Sequence, residues 1–175
     1  MKGRTAPLHS ELDAIVGKLD TLRSYKHYLD ALLSFREPLE RAVRQARPLA
    51  RLGLRPKFIA SAIRRDMDDL GLPAPAPDMG TTTIIDTSQL VGTLYVLEGS
   101  ALGARMVFRR ALDLGLSAQF GARHLACQMQ DKASWAEFLA VLDRHDQSNA
   151  EDTARASVAA FEHALIAFRG SPSEH

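Results

Sequence analysis

The stretch Tyr95-Val96-Leu97-Glu98-Gly99-Ser100-Ala101-Leu102-Gly103-Ala104-Arg105 has the look of a helix, yet Gly99 and Gly103 stand four residues apart in its middle. Each interior glycine costs a helix about 0.5–1 kcal/mol relative to alanine. Positions four apart share one face of a helix. The pair therefore strips one face of side chains and lets something flat approach the backbone. On the residues alone two bodies qualify: a second helix, the commoner case, or a planar cofactor.

The rest of the chain sets this stretch among other helices. Leu8, Leu12, Ile15, Val16 and Leu19 mark a first helix over about 6–20, with Pro7 near its start, where proline is tolerated. Tyr25, Tyr28, Leu29, Leu32, Leu33 and Phe35 mark a second, which Pro38 and Pro48 should kink or divide. A third helix is expected over 57–70, stopped by Gly71 and the prolines at 73, 75 and 77. Residues 72–83 form the one clear loop. Asp86 or Ser88 is placed to cap the glycine-bearing helix, which should run to about Leu114 and end at Gly115. A short helix follows over 122–129. Another is expected from a Ser134 cap through His145, and a last one over 149–169, with 171–175 a frayed tail. Only 81–85 reads like a strand, too short and isolated to build a sheet. The expectation is all-α, one domain over 1–175, with no repeat.

Composition narrows the function. The 175 residues are 46% hydrophobic with a net charge of +1, enough for a real core and too nearly neutral for a nucleic-acid or membrane surface. Arg36, Arg41, Arg44, Arg47, Arg51, Arg55 and Lys57, set against Glu37 and Glu40, read as a solvated helix face. Cys127 is the single cysteine, which rules out an internal disulfide and reads as a small buried hydrophobe. No apolar run approaches the ~20 residues that span a bilayer. Met1-Lys2-Gly3-Arg4 lacks the apolar stretch of a signal peptide. A cytoplasmic protein is expected.

None of the six histidines pairs at a zinc spacing, and glycine-rich nucleotide loops and serine-nucleophile motifs are absent. His9 stands at the edge of the first helix's apolar stripe with Asp13 one turn on. A histidine so placed can offer one ring nitrogen to iron while a carboxylate holds the other. The plainer reading is a boundary histidine paired with Asp13 at the surface. Glu98 is a candidate catalytic carboxylate, though a solvated or paired role is commoner.

Taken together, these features resemble the heme oxygenase superfamily, in particular the bacterial branch found beside bacteriophytochromes. Leu8-His9-Ser10-Glu11-Leu12-Asp13 is similar to the family's proximal helix. Tyr95-Val96-Leu97-Glu98-Gly99-Ser100-Ala101-Leu102-Gly103 is similar to its distal helix. Arg64-Arg65-Asp66-Met67-Asp68-Asp69-Leu70-Gly71, the Trp135 and Phe138 helix, and Phe161 with Phe168 extend the likeness over nearly the whole chain.

The resemblance implies heme b, both cofactor and substrate, held between the His9 helix and a kinked distal helix. His9 would be the proximal ligand of the heme iron. Gly99, Ser100 and Gly103 would lie over the distal face, bare enough for the bound ligand to bend toward the ring edge. Tyr95 and Lys2 would stand near the propionates. The implied reaction is oxidative cleavage of heme by dioxygen to biliverdin, carbon monoxide and ferrous iron. Electrons come from an external donor, a reductase or ferredoxin, with Arg105, Arg109 and Arg110 a candidate docking surface. A bacteriophytochrome is the implied recipient of biliverdin. Two departures stand out: Ser100 replaces the aspartate of animal-type members, and Ala104 replaces a second glycine. The competing readings are a heme- or tetrapyrrole-binding protein of the same fold without turnover, and a helical regulatory protein without heme.

Overall fold

The computed structural model describes residues 2–75, 82–130, 133–144 and 149–170. Among them regular structure is helical: α1 (Lys2–Val16), α2 (Leu22–Gln45), α3 (Leu49–Leu52), α4 (Ala60–Asp69), α5 (Thr87–Gly99), a 3-10 turn (Ser100–Leu102), α6 (Ala104–Asp113), α7 (Arg123–Met129), α8 (Ala133–Arg144) and α9 (Ala150–Gly170). Residues 82–85 form no strand, because so short a lone segment has no partner to pair with. The expected tail at 171–175 and the middle of the 72–83 loop lie outside the described residues, as does His145.

Local chemistry sets the boundaries. Thr21 and Ser24 form a reciprocal capping box at the head of α2: Thr21 Oγ1 accepts the Ser24 N–H at 3.1 Å and Ser24 Oγ accepts the Thr21 N–H at 3.2 Å. Asp86 caps α5 by accepting the Gln89 N–H at 2.8 Å. Gly115 ends α6 with φ +82°, a left-handed value that costs glycine little. Several expectations are corrected. α1 begins at Lys2, so Pro7 lies inside it rather than at its start. α2 runs unbroken through Pro38, anchored by a long buried stripe of Tyr25, Leu29, Leu32, Leu33, Leu39 and Val43. α4 starts at Ala60, three residues later than expected, and Ser134 falls within α8, not at its cap.

α5 is apolar around its whole circumference, the pattern of a central buried helix. It packs on α9, α2 and α8, while α9 also covers α1 and α2. Gly92 makes the α5–α9 approach possible. A Cβ there would stand 2.6 Å from both the Ala156 Cβ and the Thr153 carbonyl oxygen. Ser157 Oγ donates to Gly92 O at 3.2 Å across the same seam. On the other side of the core, buried Asp66 on α4 ties down α7. Its carboxylate accepts the N–H groups of Arg123 and His124 at 3.0 Å each, and pairs with His124 Nδ1 at 2.8 Å. No described helix is long and apolar enough to cross a membrane.

Candidate active site

The helix expected to run on to about Leu114 is instead interrupted at its glycines, in line with the kink that the resemblance implied. α5 ends at Gly99, the next three residues wind as a 3-10 turn, and α6 restarts at Ala104 after Gly103. Poorer hydrogen-bond geometry keeps 3-10 segments short, and glycines at both ends ease the change of winding. A Cβ on Gly103 would meet nothing nearer than Ser100 O at 4.0 Å, so this position faces open space. Leu102 and Met106 beside it are 66% and 65% exposed. A Cβ on Gly99 would touch the Trp135 ring at 3.7 Å, and Tyr95 stands 5.7 Å from the same ring, centroid to centroid. Among the described residues no helix lies on Gly103, whereas Trp135 of α8 covers Gly99 at an ordinary contact distance. The close helix packing that the pair alone suggested belongs to Gly92, which its isolated position in the sequence did not flag.

Ser100 turns inward. Its hydroxyl donates to Leu97 O at 2.7 Å and accepts from Arg36 Nη1 at 3.2 Å and Gln128 Nε2 at 3.3 Å. The Arg36 end of the basic stretch is not a solvated face. Arg36 is 1% exposed and Glu40 2% exposed, and they form an ion pair at 2.9 Å. Arg44, Arg47, Arg51 and Arg55 are exposed as expected, with Arg44 3.9 Å above the Phe58 ring. Glu98 is buried, and its Oε1 accepts the Lys57 N–H at 2.9 Å, the paired rather than the solvated of the two roles expected for it. The sequence held a signal for the Arg36–Glu40 pair: both sit at three- and four-residue steps from Leu29, Leu32, Leu33 and Val43, on the apolar stripe itself.

His9 makes its contacts on α1 and α9. Its Nδ1 pairs with Asp13 Oδ2 at 3.0 Å, its ring meets Phe161 edge-on at 6.1 Å, and its side chain is 61% exposed. With the Nδ1 proton shared with a carboxylate, Nε2 carries the lone pair and is the atom free to bind a metal. Lys2 opens α1; its side chain lies outside the described residues. Cys127 is a free thiol, half-buried rather than fully buried. A groove of about 590 Å³ runs between α5 and α9, lined by residues that include Asp86, Gln89, Arg155 and His163, and contains none of the expected site residues. The bare face at Gly103 is instead an open surface.

The helical arrangement matches the crystal structure of the NO- and CO-bound heme oxygenase from Neisseria meningitidis with a TM-score of 0.77, at 23% identity, covering 99% of this chain and 92% of that one. At that identity the likeness defines the fold: a heme oxygenase-like helical fold. The sequence is 34% identical over 151 residues to heme oxygenase PigA of Pseudomonas aeruginosa, spanning 82% of this chain and 76% of that protein. The chain belongs to the heme oxygenase family. No protein-family model matches it.

Proposed function

We infer that this protein is a heme oxygenase, an enzyme that cleaves heme oxidatively to biliverdin, carbon monoxide and ferrous iron. The observation that carries the reading is its 34% identity, over most of its length, to a heme oxygenase. Two features, each on its own element, suit the group. His9 offers an imidazole whose other nitrogen is held by Asp13, and the glycine-flanked turn leaves backbone without side chains beside exposed Leu102 and Met106. Heme, when bound and reduced, supplies the iron that takes up dioxygen and the ring that is oxidised.

The chain's own residues do the rest. Asp13, paired with Nδ1, leaves Nε2 as the His9 atom available as a proximal ligand. Gly99 and Gly103 add no side chains of their own to the distal face; Gly103 is open, and the Trp135 ring lies against Gly99. Ser100, with its hydroxyl already bonded to Leu97 O, presents backbone rather than a polar side chain there. Tyr95, beside Trp135, is placed at the edge of the same region, and Lys2 at the head of α1 is the second propionate partner. Exposed Arg105 and Arg109, with half-buried Arg110, form a basic face next to Leu102 and Met106, suited to an acidic external electron donor of the reductase or ferredoxin kind. Biliverdin would then be available to a bacteriophytochrome, the recipient the sequence resemblance implies. The whole of 1–175 is read as one unit, supported by a structural match over nearly its full length.

Titration of the purified protein with hemin tests this reading. A saturable complex with a sharp Soret band is expected, and ascorbate or a reductase with dioxygen should convert it to biliverdin. His9→Ala should abolish the axial-imidazole spectrum; an unchanged spectrum in that variant removes His9 from the proximal role.

A further inference from the structure

We propose that Arg36 is the positioning residue of the distal turn: its buried guanidinium clamps the junction of α5 and the 3-10 turn and so sets how closely the bare backbone of 99–103 stands to bound heme. The last clause rests on the function inferred above; the clamp itself does not.

Two bonds of this guanidinium go to the junction itself, and the other two tie it to α2 and to the approach to α4. Nη1 donates to Leu97 O at 2.7 Å and to Ser100 Oγ at 3.2 Å, and Nη2 donates to Lys57 O at 2.9 Å. Nε donates to Glu40 Oε1 at 2.9 Å. Glu40 is fixed in turn: Oε1 accepts the Ile59 N–H at 2.9 Å and Oε2 the Ala60 N–H at 3.1 Å. One charged pair on α2 thus joins the approach to α4 to the end of α5. Taking both charges out of water is costly, and the cost is met only where nearly all donors and acceptors are satisfied, as they are here. Lysine could not replace it, because a point charge lacks the planar fork that reaches three segments at once.

The turn needs such a clamp. A 3-10 turn in mid-helix is less stable than the α-helix on either side and relaxes unless its junction is held. Leu97 O lies at that junction and receives both Arg36 and the Ser100 hydroxyl. The same bonds keep the Ser100 side chain directed into the protein, while the Gly103 face stays open. Arg36 touches the turn from behind, so it acts through the backbone rather than on any substrate.

The test uses the full chain with three substitutions: Arg36→Met with Glu40→Met, which removes both charges together; Ser100→Ala, which removes one leg of the clamp; and Arg36→Lys. Hydrogen–deuterium exchange is measured on the heme-free protein. In the double variant, exchange over 99–104 should rise about tenfold or more, the value of losing charge-assisted hydrogen bonds, while the rest of α5 and all of α9 keep their rates. Ser100→Ala should give a smaller rise in the same residues, and Arg36→Lys should lie between it and the double variant. In the hemin-loaded ferrous protein, the C–O stretching band of added carbon monoxide should shift and broaden in the same order. Exchange over 99–104 that stays at the unsubstituted rate in all three overturns the proposal, as does a rise spread evenly over the helices, which marks general destabilisation. A local rise with an unmoved C–O band also overturns it, because the turn then does not set the distal environment. If the unsubstituted protein forms no Soret complex while local exchange responds, the heme reading fails and the clamp survives. Should the double variant not fold, Ser100→Ala and Arg36→Lys still decide.

Discussion

Three glycines of the α5–α6 region give opposite responses to the same added methyl group. At Gly92 the new Cβ would sit 2.6 Å from Ala156 Cβ and Thr153 O and 2.9 Å from Ser157 N. Two of those three neighbours are backbone of α9, so neither can swing aside and the helices must separate. Overpacking of this kind costs about 1–3 kcal/mol, and helix propensity returns at most about 1 kcal/mol. The contact distances place Gly92→Ala at the upper end, a net loss of about 2 kcal/mol, or roughly a 4–8 °C drop in Tm for a chain of this size. At Gly103 the nearest atom is 4.0 Å away, and the backbone is already right-handed at φ −82°. Gly103→Ala should therefore gain about 0.5–1 kcal/mol and raise Tm by roughly 1–4 °C. Gly99→Ala meets only an ordinary contact with Trp135 at 3.7 Å and should be neutral to slightly stabilising. Calorimetry on the heme-free proteins gives the stability order, and hemin binding with biliverdin yield gives the functional one. The expectation is a crossing of the two: Gly92→Ala damages the fold, whereas Gly99→Ala and Gly103→Ala leave it sound and lower biliverdin formation. A Gly103→Ala protein that is stable and also turns over heme normally would refute the assignment of that face to the substrate, and a Gly92→Ala protein of unchanged Tm would refute the packing argument.

Burial, opposed by Asp66, pushes the His124 imidazole below its ordinary value of 6.5. The unfolded chain then takes up a proton first as pH falls, so stability should decline from about pH 6.5 downward; His124→Asn, which keeps a donor toward Asp66, should flatten that part of the Tm–pH curve, and an unaltered curve would count against it. The hydrogen bond from Arg123 holds the Asp69 carboxyl below its ordinary 3.8, and the stability it contributes persists above that value and is lost only at still lower pH. Arg36→Met alone leaves the Glu40 carboxylate buried without a counter-charge and should cost about 3–5 kcal/mol in urea unfolding, most of it recovered when Glu40→Met is added. Arg105→Glu combined with Arg109→Glu should slow reductase-driven turnover roughly tenfold at low salt, an effect that fades as ionic strength rises, and leave ascorbate-driven turnover alone; equal losses with both donors would argue against a docking face.

Much of the architecture was legible because its signals are local. The Asp86 cap, the Gly115 stop and the apolar spacing of α2 and α9 each depend on residues a few positions apart. The distal stretch could be singled out because two glycines one turn apart contradict helix propensity. What escaped detection depends on distance or on burial of charge. Asp66 and His124 are 58 residues apart, and nothing in either neighbourhood announces the pairing. Arg36 and Glu40 were taken for surface because charged residues usually are, although their positions on the α2 stripe pointed inward. Pro38 was expected to break a helix that tertiary packing carries through it. Gly92 carries no pattern at all: its need for a missing side chain arises only when α9 is laid against it.

The contact between Trp135 and Gly99 has a practical consequence. The chain contains one tryptophan, and its ring lies against the first glycine of the distal turn. Its emission is therefore a built-in reporter from that spot. Hemin arriving there should quench the fluorescence by energy transfer, and the time course of quenching gives the rate of loading without any attached label.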